Sequence, residues 1–179
     1  MTMSLRPLQS LLPVLLGATA PAAGLPTQDQ ALALAFPGAS LQRREHFLTE
    51  AQAQTVKALA GVDLSGLWVV AYEARKEGRL SGVAFFDTHR VRTLNETAMV
   101  AVSAEGKVLR VEVVAFREPA EYMAKEAWKQ QLVGRKLDGE LKLGRGIRPL
   151  SGATLTANAL TDASRRGLAL WQVLYGPGK

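Results

Sequence analysis

Between Leu67 and Phe116 the chain reads in periods of two, and that pattern commits it to an antiparallel sheet. Leu67-Trp68-Val69-Val70-Ala71-Tyr72 is a β-branched and aromatic run, Arg75-Lys76-Glu77-Gly78 is a polar turn, and Val83-Ala84-Phe85-Phe86 is a second apolar run. Together they predict a hairpin, with Trp68 in the core. Thr97 to Val102, the turn Ser103-Ala104-Glu105-Gly106 and Val108 to Phe116 predict another. In the last strand Leu109, Val111 and Val113 alternate with Arg110 and Glu112, so one face is expected to be buried and the other wet.

Helical patterns flank this region. Gln28 to Phe36 carries alanine and leucine at helical spacing and stops at Pro37-Gly38. Thr49-Glu50-Ala51-Gln52 has the form of a capping box, followed by Ala53, Val56, Leu59 and Ala60 at helical spacing and by Gly61. Pro119 suits a first helical position and predicts a helix to Leu132, with Met123, Ala127, Trp128 and Leu132 near one side and Gly134 closing it. A last helix carries the stripe Leu160, Ala163, Gly167, Leu168, Trp171 and Leu174. Helices, then four strands, then helices argue an α+β fold with an antiparallel sheet rather than a doubly wound one.

With 179 residues, 47% of them apolar, the chain has material for one well-buried core, and we read one domain over residues 23–179 behind a leader. The leader, residues 1–22, has Arg6 before the apolar Leu8 to Gly17 and ends in Ala20-Pro21-Ala22. These are the parts of a secretory signal peptide, whose cleavage would give an extracytoplasmic protein; uncleaved, the segment would be a weak membrane anchor. The formal charge of +6 is spread in single or paired basic residues between carboxylates, which argues against nucleic acid as a partner. The absence of cysteine excludes disulfides, thiolate metal sites and cysteine nucleophiles, and two histidines are too few for a histidine-rich metal site.

The most informative stretch runs from Ile147 to Leu160. Its Ser151-Gly152-Ala153-Thr154-Leu155-Thr156 is a small-residue turn that delivers hydroxyls into the start of the last helix. A helix start offers unpaired N–H groups and a partial positive charge, and Gly152 lets an anion approach the main chain, so the segment suits a phosphate. Ser151, Thr154 and Thr156 serve equally well as plain helix caps on this reading.

Ser151-Gly152-Ala153-Thr154, with Leu155-Thr156 and an alanine-rich helix behind it, resembles the flavinylation motif of the FMN-binding domain family. The family includes the FMN-binding subunits of the sodium-pumping NADH:quinone reductase and of Rnf complexes. Gly82 to Phe86, Asn95-Glu96-Thr97 and the Trp128-to-Gly134 segment extend the resemblance over the region from Trp68 to Trp171. It implies an antiparallel, half-barrel-like sheet, FMN as cofactor, and a phosphoester to Thr154 installed by a flavin transferase. Substrates of that transferase generally carry an aspartate six residues before the modified threonine, where this chain has Arg148. Arg148 is either a bidentate partner for a flavin phosphate held noncovalently or an exposed loop arginine.

A polar run, Asp87 to Thr97, joins two apolar strands and gathers Thr88, His89, Arg92, Thr93 and Glu96 at one end of the sheet. These residues are candidates to clamp the phosphate or the ring, or else belong to a solvated connection; His89 is a candidate proton relay. A flavin ring needs flat walls, for which Tyr122 and Trp128 are candidates; Trp171 lies about 25 Å of helix rise beyond Thr154. With no dinucleotide fingerprint, ordered nucleophile or obvious carboxylate pair, an electron carrier between membrane-associated redox proteins is expected before an enzyme. The alternative is an exported, cofactor-free module that uses the same pocket for another anionic ligand.

Overall fold

A computed structural model describes residues 24–178; the leader expected over 1–22 lies outside the described residues. The sheet is an open, half-barrel-like antiparallel meander of five strands in the order of the chain. They are β1 (Ser40–Phe47), β2 (Trp68–Lys76), β3 (Arg79–Arg90), β4 (Asn95–Ser103) and β5 (Val108–Phe116). The helices are α1 (Gln28–Ala35), α2 (Glu50–Ala60), the single turn α3 (Glu126–Lys129) and α4 (Thr154–Tyr175). No helix among the described residues is long and apolar enough to cross a membrane.

The expected capping box is formed: Thr49 Oγ1 accepts from the Gln52 N–H at 3.2 Å, while Gln52 Oε1 accepts from the Thr49 N–H at 2.9 Å. Thr27 and Gln30 cap α1 in the same way. The main core lies between one sheet face and the helices α2 and α4, where Phe85, Val100, Val111 and Val113 meet Val56, Leu160, Leu168 and Trp171. A second core lies on the opposite face, where Ala31, Leu32 and Phe36 meet Ala84, Met99 and Ala101.

This second core corrects the expectation of one wet sheet face. Glu112, on the face expected to meet water, is buried and ion-paired to Lys129 Nζ at 2.6 Å, whereas Leu109 is exposed. Trp68, expected in the core, is 57% exposed. β1 was not foreseen, because Ser-Leu-Gln-Arg-Arg-Glu-His-Phe buries almost nothing on either face. The helix expected from Pro119 to Leu132 is instead a 3₁₀ turn, Ala120–Tyr122, and the short α3, separated by extended backbone at Met123 (φ −71°, ψ 134°). The polar run Asp87 to Thr97 is mostly the paired ends of β3 and β4, with His89 opposite Glu96, around the tight turn Val91–Leu94.

Candidate functional site

The site is built where α4 begins. Leu150 to Ala153 form a turn closed by the Ala153 N–H donating to the Leu150 carbonyl at 3.0 Å. Gly152 has φ +76°, a conformation L side chains rarely adopt, and the space where a Cβ would stand is open. Ala153 is the N-cap of α4 and has no side chain able to cap it; neither Ser151 nor Thr154 takes that role. The first-turn amides of a 22-residue helix are therefore left without a side-chain cap, and no acidic residue in that turn offsets the positive end of the helix.

Thr154 is exposed and lines a cavity of about 380 Å³ together with Gly152, Ala153, Leu155 and Thr156. Its other wall is Val91, Arg92, Glu118 and Tyr122. That volume falls within the roughly 300–1,000 Å³ of small-molecule sites. Val91, the half-exposed Leu155 and Tyr122 contribute apolar residues to the lining, and Arg92 is its cation.

Glu118 fixes this wall. Its Oε1 accepts from the backbone N–H groups of Arg92, Thr93 and Leu94 at 3.1, 2.7 and 2.8 Å. These bonds, from Leu94 and Thr93 foremost, hold its carboxyl below the usual range. Thr93 is thus engaged by Glu118, through its N–H and its hydroxyl. Thr156 is buried and donates to the Tyr122 carbonyl at 2.8 Å, pinning the first turn of α4 to the 3₁₀ turn.

Several residues read as cofactor-binding do not line this cavity. Trp128 donates its Nε1–H to the Arg148 carbonyl at 2.8 Å, and the Arg148 N–H and Nε–H donate to Gln131 Oε1 at 3.0 and 3.3 Å. Both therefore brace the segment leading into the motif. Thr88 shares a hydrogen bond with Thr97 at 2.9 Å. His89 lies between Asp87 Oδ1, 2.7 Å from Nδ1, and Glu96 Oε2, 3.0 Å from Nε2. Arg166 of α4 completes the cluster with two bonds to Asp87, at 2.6 and 2.8 Å. Burial alone would lower the His89 pKa, but the two carboxylates outweigh it and raise it to about 9. Burial likewise opposes ionisation of Asp87, yet hydrogen bonds from Arg166 and His89 bring it down to about 2.

Glu118, Val91 and Leu155 were missed by sequence reasoning. Glu118 had the look of a helix-start acid before proline, and nothing local shows that its carboxylate crosses to a turn 24 to 26 positions earlier.

A second concavity opens where the sheet parts. β2 pairs with β3 only from Ala71↔Phe85 onward, so Trp68–Val70 and Phe86–Thr88 diverge. The resulting cleft of about 450 Å³ is floored by Ala163, Arg166 and Gly167. Arg166 is about 18 Å of helix rise from Thr154, so this cleft is separate from the turn that starts α4.

The family model of the FMN-binding domain matches residues 95–169, from the start of β4 through most of α4. No curated protein matches the chain.

Proposed function

We propose that this chain, whose residues 95–169 match the FMN-binding domain model, is a flavoprotein with FMN as its cofactor that carries electrons between membrane-associated partners outside the cytoplasm. We place the FMN phosphate at Thr154, as an ester of its hydroxyl formed by a flavin transferase. The observation that carries this reading is the exposed Thr154 at the uncapped start of α4, facing a cavity it shares with Arg92.

The donor set fits a phosphate. First-turn amides supply N–H groups and the positive end of the helix dipole, and the exposed Arg92 supplies a cation across the cavity. Glu118 positions the Val91–Leu94 turn so that Arg92 stays opposite Thr154. Val91, Leu155 and Tyr122, which line the cavity, would exclude water from one side of a flat ring bound there. Bound FMN supplies one- and two-electron redox chemistry; the chain supplies attachment, walls and electrostatics. Arg148, in the place of the aspartate that transferase substrates generally carry, is engaged by Gln131 and does not line this cavity.

The test is the protein made beside a flavin transferase and run on a denaturing gel scanned for flavin fluorescence, with Thr154→Ala and Thr156→Ala alongside. Fluorescence that survives denaturation and disappears in Thr154→Ala is expected, with Thr156→Ala still labelled. A dark band from the unaltered chain defeats the ester, and a native protein that also releases no flavin defeats the flavoprotein reading.

A further inference from the structure

β1 is an open sheet edge with a self-complementary sequence. At the opposite edge the first residue of β5 is engaged: Val108 exchanges hydrogen bonds with Gly134 and Arg135, at 2.8 Å from the Gly134 N–H and 2.9 Å to the Arg135 carbonyl. β1 has β2 as its only neighbour in the sheet among the described residues, and its side chains are exposed along nearly its whole length. Leu41 and Phe47 are 42% and 75% exposed. They share a face with Arg43 and Glu45, which are ion-paired to each other. Apolar residues on an unpaired edge invite another strand.

From this edge we infer that β1 pairs antiparallel with β1 of a second copy, joining two five-stranded sheets across a two-fold axis. Strand chemistry restricts the register. Facing residues of an antiparallel pair turn their N–H and C=O groups either both toward each other or both away, and successive residues alternate. A dyad between Arg43 and Arg44 would set residues of opposite kind face to face and is excluded. Of the two registers that remain with near-complete overlap, a dyad at Arg43 places Leu41 against a partner glutamate and Arg43 against itself. A dyad at Arg44 places Leu41 against Phe47 and Arg43 against Glu45, each twice, and Gln42 against His46. The only like-charge meeting is Arg44 with its own copy, and each Arg44 already has Glu73 at 3.7 Å as a counter-charge. Charges that defend an edge repel in every register; these pair in one. The exposed Trp68, opposite Phe47 in the β1–β2 pairing, flanks the new apolar contact.

Sedimentation over a concentration series tests this on the full chain. The mass is expected to climb from 19.3 kDa toward twice that value. Arg43→Glu should weaken the dimer at least tenfold, and adding Glu45→Arg to it should restore dimerisation, because the swapped charges pair in the same register. The absence of cysteine permits a second reading. Under mild oxidation Arg44→Cys should cross-link to a covalent dimer and Arg43→Cys should not, since facing positions lie within disulfide reach. A chain that stays at 19.3 kDa at every concentration overturns the inference and leaves the edge to a different polypeptide. Cross-linking as efficient at Arg43→Cys as at Arg44→Cys, or a charge swap that fails to restore the dimer, overturns it as well. Neither reading depends on flavin.

Discussion

His89 is held as an imidazolium by the carboxylates on either side of it, Asp87 and Glu96. Because its folded pKa, about 9, lies above the roughly 6.5 of an unfolded histidine, the proton stabilises the fold. That contribution is complete below about pH 6.5 and is lost as pH rises through about 9, amounting to about 3 kcal/mol. Asp87 works in the opposite sense: its carboxyl, at about 2, contributes above the unfolded value near 3.9 and fails only in strong acid. Urea unfolding at about pH 6 and about pH 10 should therefore show the wild type weaker at the higher pH. In His89→Gln most of that difference should vanish; an unchanged difference would mean that other groups set it. The strand pairing that faces His89 with Glu96 follows from a hairpin register, but the polar texture of Asp87 to Thr97 made it read as a loop. Arg166, 79 positions from Asp87, could not be assigned from sequence because nothing local marks a tertiary ion pair.

At the scale of elements, the position of α4 over the sheet decides where Thr154 stands. Gly167 sets that spacing: a Cβ there would come within 2.9 Å of Val100 Cγ1 on β4. A glycine inside a helix costs about 1 kcal/mol of propensity, whereas overpacking costs about 1–3 kcal/mol, so close approach outweighs the helix preference. Gly167→Ala should destabilise the fold, and adding Val100→Ala should restore part of the loss, with a coupling of about 1 kcal/mol in a double-mutant cycle from urea unfolding. Strictly additive effects would show that α4 does not rest on β4 at this point. The apolar stripe of α4 was legible because it follows one helical period. β1 was not, because an edge strand exposed on both faces has no period-two contrast. The segment after Pro119 misled for a related reason. Trp128 and Leu132 are buried as a helix would bury them, but Ala127 is exposed and Lys129 is buried by its pairing to Glu112 and Glu126.

Over the whole molecule, the sheet separates two cores with unequal bearing on the proposed site. The α+β class was legible because paired β runs between helices leave few other packings. That both faces would be covered was not, since α1 is only eight residues long and its sequence does not say where it docks. So short a helix does not persist by itself in water and owes its order to Ala31, Leu32 and Phe36 on the sheet. Leu32→Ala should cost about 2–5 kcal/mol as a buried large-to-small change. Leu32 packs on the face opposite α4, against a core containing Met99 and Ala101, while Thr154, Arg92 and Glu118 meet elsewhere. The loss should therefore appear as a lower Tm with the proportion of chains carrying denaturation-resistant flavin unchanged, provided labelling is done well below that Tm. Labelling that falls in step with stability would instead mean that the two faces act as one cooperative unit. The proposed attachment site would then need α1 as much as it needs α4.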